Sequence, residues 1–288
     1  MMHVELLGAS GVGKSTLVQQ MVGHKAVPQG WVDRSTARLA LARDVTRNSS
    51  GLLQYLQRAS LLMPSWPSKA RYTERIRSRV ASRVLQEYEA LAEKTIVPQY
   101  EVLFELMFRR LQKPDAAPRH IAARYVEFLH RILLQDYALP ELLRCPYHII
   151  HDEGVLHNAG GLLCVGEVDD ATQELSRLLK KKCFAGVILC SLPVGEIVRR
   201  QESRSVGAVS YLGIEYSGKS LVGRTERGIC SSAEKARLLS GMGIPLLEID
   251  MLMPISQNVD RVAAFIAELR PDCSETKAGY SADTNRLS

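Results

Sequence analysis

The chain has 288 residues, enough for one large α/β domain or two small ones, and its 46% apolar content suits a globular protein with a proper core. No apolar run approaches the ~20 residues of a membrane span, and the N-terminus reads as entering a strand at once, so a signal peptide is not expected. The net charge of +6 is modest, aromatic residues are 6% with none interleaved as a stacking platform, and no nucleic-acid-binding motif is present, so nucleic acid is not an expected partner.

The first element is a short apolar run, Val4, Leu6 and Leu7, that reads as a buried strand. It leads into Gly8-Ala9-Ser10-Gly11-Val12-Gly13-Lys14-Ser15, which fits the phosphate-binding pattern of Gly, four residues, Gly-Lys-Ser/Thr. A helix over 15–22 follows, with Leu17, Val18 and Met21 on one side and Gly23 as its stop. Glycines at 8, 11 and 13 let amides point inward as a nest for phosphate oxygens, and the helix dipole favours the same anion. Gly8, Ala9, Ser10, Gly11, Val12, Gly13, Lys14, Ser15 and Thr16 are therefore the expected nucleotide-binding residues. Lys14 is expected to reach the β- and γ-phosphates and Ser15 to ligate Mg²⁺, which makes ATP and Mg²⁺ the expected cofactors.

A turn and a short second strand ending at Asp33 come next. From about 35 to 140 the pattern is largely helical, over 35–46, 50–62, 69–92, 99–111 and 122–134. On the third of these Ile76, Val80, Val84 and Tyr88 recur at steps of four as an apolar stripe. Residues 147–151 are a third strand and 185–189 a fourth. Between them Asp169 can cap a helix with core positions Leu175, Leu178 and Leu179. Helices over 194–201 and 233–239, a last strand over 245–250 and a closing helix over 259–269 complete the pattern. The polar tail 271–288 has almost nothing to bury and reads as disordered. Strands alternating with helices predict an α/β fold, a three-layer parallel sheet of the P-loop NTPase kind over 1–270, with a large helical insertion at 35–140. Cys145, Cys164, Cys183, Cys190, Cys230 and Cys273 are scattered, with no Cys-x-x-Cys pair, which reads as a reduced, cytoplasmic protein.

Asp152 closes the third strand. A carboxylate at the carboxyl end of a parallel strand can face the phosphate loop and hold Mg²⁺, and Glu153 beside it is a candidate general base. The bland alternative is an acidic turn. His148, His151 and His157 lie nearby, but three residues apart in a strand place His148 and His151 on opposite faces, and zinc is not expected.

After the fourth strand, Pro193 precedes a short helix carrying Arg199, Arg200 and Arg204. Here the sequence resembles the nucleoside and nucleoside-monophosphate kinase superfamily, in which a Pro, a short helix and an arginine-rich lid follow the fourth strand. The resemblance covers 2–23 and 145–270. It implies that Arg199, Arg200 and Arg204 stabilise charge on the transferred phosphoryl group, with Lys14, Asp152 and Glu153 as their catalytic partners. The chain departs from that family in carrying Asp152-Glu153-Gly154 where an Asp-Arg or Glu-Arg-Ser sequence is usual. The block at 35–140 matches none of its acceptor-binding regions.

Lys69, Arg71, Arg75, Arg77, Arg79 and Arg83 crowd one segment, and Arg71, Arg75, Arg79 and Arg83 fall at steps of four on one helix. That stripe is either a solvated face or a surface for an anionic acceptor, contacted by Arg71, Arg75 and Arg79, or for an acidic partner. The expected function is an ATP-dependent kinase moving the γ-phosphoryl group to a small-molecule hydroxyl or phosphate. The alternative is a P-loop ATPase coupling hydrolysis to a macromolecular partner. No Asn-Lys-x-Asp for guanine is present, and Ser217-Gly218-Lys219-Ser220 lacks the strand and first glycine of a second phosphate loop.

Overall fold

The computed structural model describes residues 1–47, 70–111, 119–158, 177–179, 181–182, 184–204, 209–211 and 214–269. The expected helix at 50–62, Lys69, most of the helix begun at Asp169 and the tail at 271–288 lie outside them. Five strands form one all-parallel sheet: β1 (His3–Leu7), β2 (Trp31–Asp33), β3 (His148–His151), β4 (Phe184–Ser191) and, last in the chain, Leu246–Asp250. A two-stranded antiparallel hairpin, β5 (Val209–Tyr211) and β6 (Ile214–Tyr216), precedes that last strand, which is therefore β7. The sheet order is β2-β3-β1-β4-β7. β1 is thus central, with Glu5 opposite His151 of β3 and Leu7 opposite Leu189 of β4.

Because side chains alternate along a strand, β1 feeds two cores. Val4 and Leu6 belong to a core with Leu17 and Met21 of α1 (Lys14–Met21) and Val259, Val262 and Ile266 of α10 (Ile255–Glu268). Leu7 belongs to another, with Val187 of β4 and Ala236 and Leu239 of α9 (Gly218–Gly241). Helices thus cover both faces, as all-parallel sheets require.

The helical block runs between β2 and β3: α2 (Arg34–Arg47), α3 (Ala70–Thr95), a 3₁₀ turn (Val97–Tyr100), α4 (Glu101–Leu111), α5 (Arg119–Leu133), a π-helical turn (Leu134–Ala138) and α6 (Leu139–Leu142). It shares cores with the sheet. Ile149 of β3 packs with Ala37, Leu41 and Ala42 of α2 and Ala81 and Leu85 of α3.

Three expectations need correction. The buried side of α3 is Ala81, Leu85 and Ala92, and Val80, Val84 and Tyr88 flank it. The small Ala81 is set against α2, so the true core face is turned by one position from the stripe of larger side chains. The helix expected to start at Ala233 starts at Gly218, where the Ser220 hydroxyl accepts from the Ser217 amide at 3.0 Å. Gly218, Gly223 and Gly228, poor helix formers, mask this helix in sequence. The β5–β6 hairpin was not expected at all.

Candidate active site

The loops that leave the carboxyl ends of β1, β3 and β4 meet, because these three strands are parallel neighbours. In the loop after β1, Gly8, Gly11 and Gly13 have φ of +143°, +90° and +113°. Space as well as backbone conformation requires Gly11, since a Cβ there would lie 2.8 Å from Cγ of Gln201. Gly13 is the residue before α1, so the amino end of that helix begins at Lys14. The Lys14 side chain curls back over the loop, its Nζ donating to the carbonyls of Gly8 (2.8 Å) and Ala9 (3.3 Å). Lys14 is 4% exposed. Burial pushes its pKa down, and the charges of Glu153 and Asp152 push back.

Asp152 arrives from the loop after β3. The Ser15 hydroxyl donates to its Oδ2 at 2.6 Å, a bond between residues 137 apart in sequence. A hydroxyl and a carboxylate are the hard oxygen ligands that suit Mg²⁺, which takes one or two carboxylates and completes its shell with substrate phosphates and water. The residues present are compatible with a magnesium–triphosphate group, for which Ser15 and Asp152 are the side chains that could hold the metal.

The loop that carries Asp152 and Glu153 is held from beneath by β1. Glu5 is fully buried, and its carboxylate accepts from the Tyr137 hydroxyl, from the Leu156 amide at 2.9 Å and from the His157 amide at 3.2 Å. Burial pushes the Glu5 carboxyl up to about 7. A Cβ at Gly154 would fall on the Glu5 carboxyl and the Tyr137 hydroxyl. Position 154 therefore has room only for glycine. Lys235 of α9 secures the short helix α7 (Val155–Asn158) that follows, through the carbonyls of Leu156 and His157, at 3.1 and 2.9 Å.

The histidines serve this packing. His3 Nδ1 lies 2.9 Å from His151 Nε2, and both rings stack on Tyr137, whereas His148 accepts from the Met2 amide. Burial holds His151 and His157 well below the usual histidine range and lowers His3 to about 3.

From β4 the chain enters α8 (Val194–Arg204). Of its three arginines, Arg200 reaches the glycine loop after β1, donating from Nη1 to the Val12 carbonyl at 3.1 Å. Arg199 is 72% exposed and bidentate to Glu196, at 2.9 and 2.8 Å, and Arg204 is exposed at the helix end. Their hydrogen bonds let Arg199 and Arg200 hold the Glu196 carboxyl down at about 2.

Two groups at the site escaped the sequence reading. Gln201 donates to the Ser10 carbonyl; its burial beside Ile197, four residues earlier, marks the inward face of α8 and was the available signal. Arg34 follows β2 directly, and the signal was its place at a strand's carboxyl end. Its Nε lies 3.5 Å from Asp152 and its Nη1 3.5 Å from Asp136, while Nη1 also donates to the Glu153 carbonyl. Asp136 sits in the π-helical turn, a geometry frequent at functional sites. The arginine stripe falls on α3. Arg79 and Arg83 are exposed, and α3 turns Ser78 and Ala81 toward α2; Arg71 and Arg75 lie in α3 by backbone only.

Among the described residues no helix is long and apolar enough to cross a membrane, and Cys145, Cys190 and Cys230 are free thiols. A scan of the chain against protein-family models found no match, and neither did a search of curated proteins.

Proposed function

We propose that the protein is an ATP-dependent phosphotransferase of the P-loop kind, resembling nucleoside and nucleoside-monophosphate kinases, that moves the γ-phosphoryl group of ATP to a hydroxyl or phosphate of a small molecule. The observation that carries this reading is the Ser15–Asp152 hydrogen bond, which joins the phosphate loop to the acidic loop of the neighbouring strand. In this scheme the amides of residues 8–15 and the α1 dipole bind the phosphate tail, and Lys14 turns from the Gly8 and Ala9 carbonyls toward the β- and γ-phosphates. Ser15 and Asp152 would hold Mg²⁺, which when bound would supply neutralisation of charge on the transferred group. Glu153 accepts the acceptor's proton as its oxygen bonds to the γ-phosphorus, and the bond to the bridging oxygen breaks to release ADP. Arg200, already against the loop, stabilises the developing charge, and Arg199 and Arg204 join only on lid closure. Exposed Leu252, Met253 and Ile255, just past β7 and next to Met251, which packs on Gly13, offer an apolar face for the base.

The experiment is phosphoryl transfer from labelled ATP to a panel of sugars, nucleosides and their phosphates, beside ATP hydrolysis without acceptor. Transfer to one class with slow hydrolysis alone supports the kinase. Fast hydrolysis that no small molecule alters moves the reading to an ATPase acting on a macromolecule.

A further inference from the structure

A cavity of about 520 Å³ lies between α2, α3, α5 and the π-helical turn, a volume within the usual range of small-molecule sites. It touches the phosphate site at one residue, because Arg34 lines it and also contacts Asp152. Arg34, Arg38 and Arg131 line it against one acid, Asp136, which Arg34 already pairs. Arg38 is fixed there: its η nitrogens donate to Gln135 at 2.8 Å and Glu89 at 2.9 Å. The cavity lining thus presents three guanidinium groups to one carboxylate, an excess of positive charge that suits an oxyanion. The Arg131 guanidinium sits 5.8 Å from the centre of the Phe128 ring, and Leu39 and Ile132 continue the apolar wall.

Building on the phosphotransferase reading, we infer that this cavity is the acceptor site and that the acceptor is a small ring-bearing molecule with an oxyanion group. The oxyanion meets the Arg38 and Arg131 guanidinium groups, the ring lies along Phe128, Leu39 and Ile132, and the nucleophilic oxygen faces the Arg34 end, next to Asp152 and Glu153. Charge-assisted bonds to guanidinium make this preference steep, and an arginine set by Gln135 and Glu89 loses little freedom on binding.

The test is calorimetric titration of the full chain, saturated with ADP and Mg²⁺, with glucuronate, glucose 6-phosphate and glucose, which share a ring and differ in charge. Binding of one or both anions about tenfold tighter than glucose, the difference of one charge-assisted bond, is expected; which anion binds tells carboxylate from phosphate. The preference should vanish in Arg131→Gln, whose exposed side chain is a safe substitution for folding, and in Arg38→Gln. Equal binding of glucose, no binding of any probe at millimolar concentration, or a preference that survives both variants overturns the inference. The ADP titration that precedes each run separates the two readings. Absent ADP binding strikes the phosphotransferase, and repeating the sugar titrations without nucleotide still decides the cavity.

Discussion

The loops at the carboxyl edge of the sheet and the helical block behind them both carry clustered charge, and they hold it differently. At the sheet edge, residues far apart in the chain meet because parallel register leaves no other arrangement: β1 beside β3 brings Ser15 to Asp152, and β1 beside β4 brings Arg200 to Val12. In the helical block, charge follows helix periodicity and is largely answered by neighbours, Arg38 by Glu89 and Arg34 by Asp136, or left in water at Arg79 and Arg83. Backbone topology builds a site with few side chains. A helix face needs a cavity before its charge gains a direction.

The largest expected effect tests the sheet edge. Lys14→Ala should lower phosphoryl transfer by roughly 10²–10³-fold, the cost of one lost electrostatic contact to a developing anion. Its circular dichroism spectrum and urea midpoint should stay near wild type, and unchanged turnover would refute the donor site. Next comes a contrast within α8. Arg200→Ala should reduce transfer by about 10²-fold, and Arg199→Ala should leave stability almost unchanged, as loss of an exposed ion pair does, with a smaller loss of rate. Equal rate losses would place lid closure, rather than the contact of Arg200 with the loop, in control.

Smaller effects sharpen the link between the two regions, since Tyr137 of the block supports Glu5 of β1. Tyr137→Phe removes a buried hydroxyl partner and should destabilise by about 1–3 kcal/mol, read from the urea midpoint; no shift would mean that the loop at 152–154 does not depend on this anchor. The histidines set a pH response. His3 is neutral when folded, with a pKa lowered from 6.5 to about 3, so the unfolded chain binds more protons between those values and stability falls on acidification through that window. Glu5, raised from 4.5 to about 7, acts the other way between those values. His148, His151 and His157 are also lowered, so the histidines prevail. His3→Gln should reduce the slope by about one proton, or ~1.4 kcal/mol per pH unit, as measured by urea unfolding across the acid range.

Much of the sheet was legible in the sequence because buried parallel strands read as short apolar runs, and all five were found within a few residues. The glycine turn after β1 was legible because Gly11 and Gly13 hold positive φ, a backbone conformation that favours glycine. Asp152 could be placed because a strand's carboxyl end is a fixed location. What was hidden depended on side chains crossing between elements. Arg34 looks like any polar residue after a strand until β2 is seen to pair with β3. Glu5 reads as an interruption of an apolar strand, and its meaning lies in Tyr137 and the amide of Leu156, far along the chain. The length of α9 was hidden by its glycines, one of which, Gly228, passes close to Ala9 of the glycine loop after β1.

The most direct test of the central claim is calorimetric titration of ADP into the wild-type chain and into Asp152→Ala, each with and without Mg²⁺. If the loop after β1 and the carboxylate after β3 hold one metal–nucleotide group, Mg²⁺ tightens ADP binding in the wild type and has no such effect in the variant. Wild-type protein that fails to bind ADP, or a variant that keeps the full Mg²⁺ effect, would contradict the account.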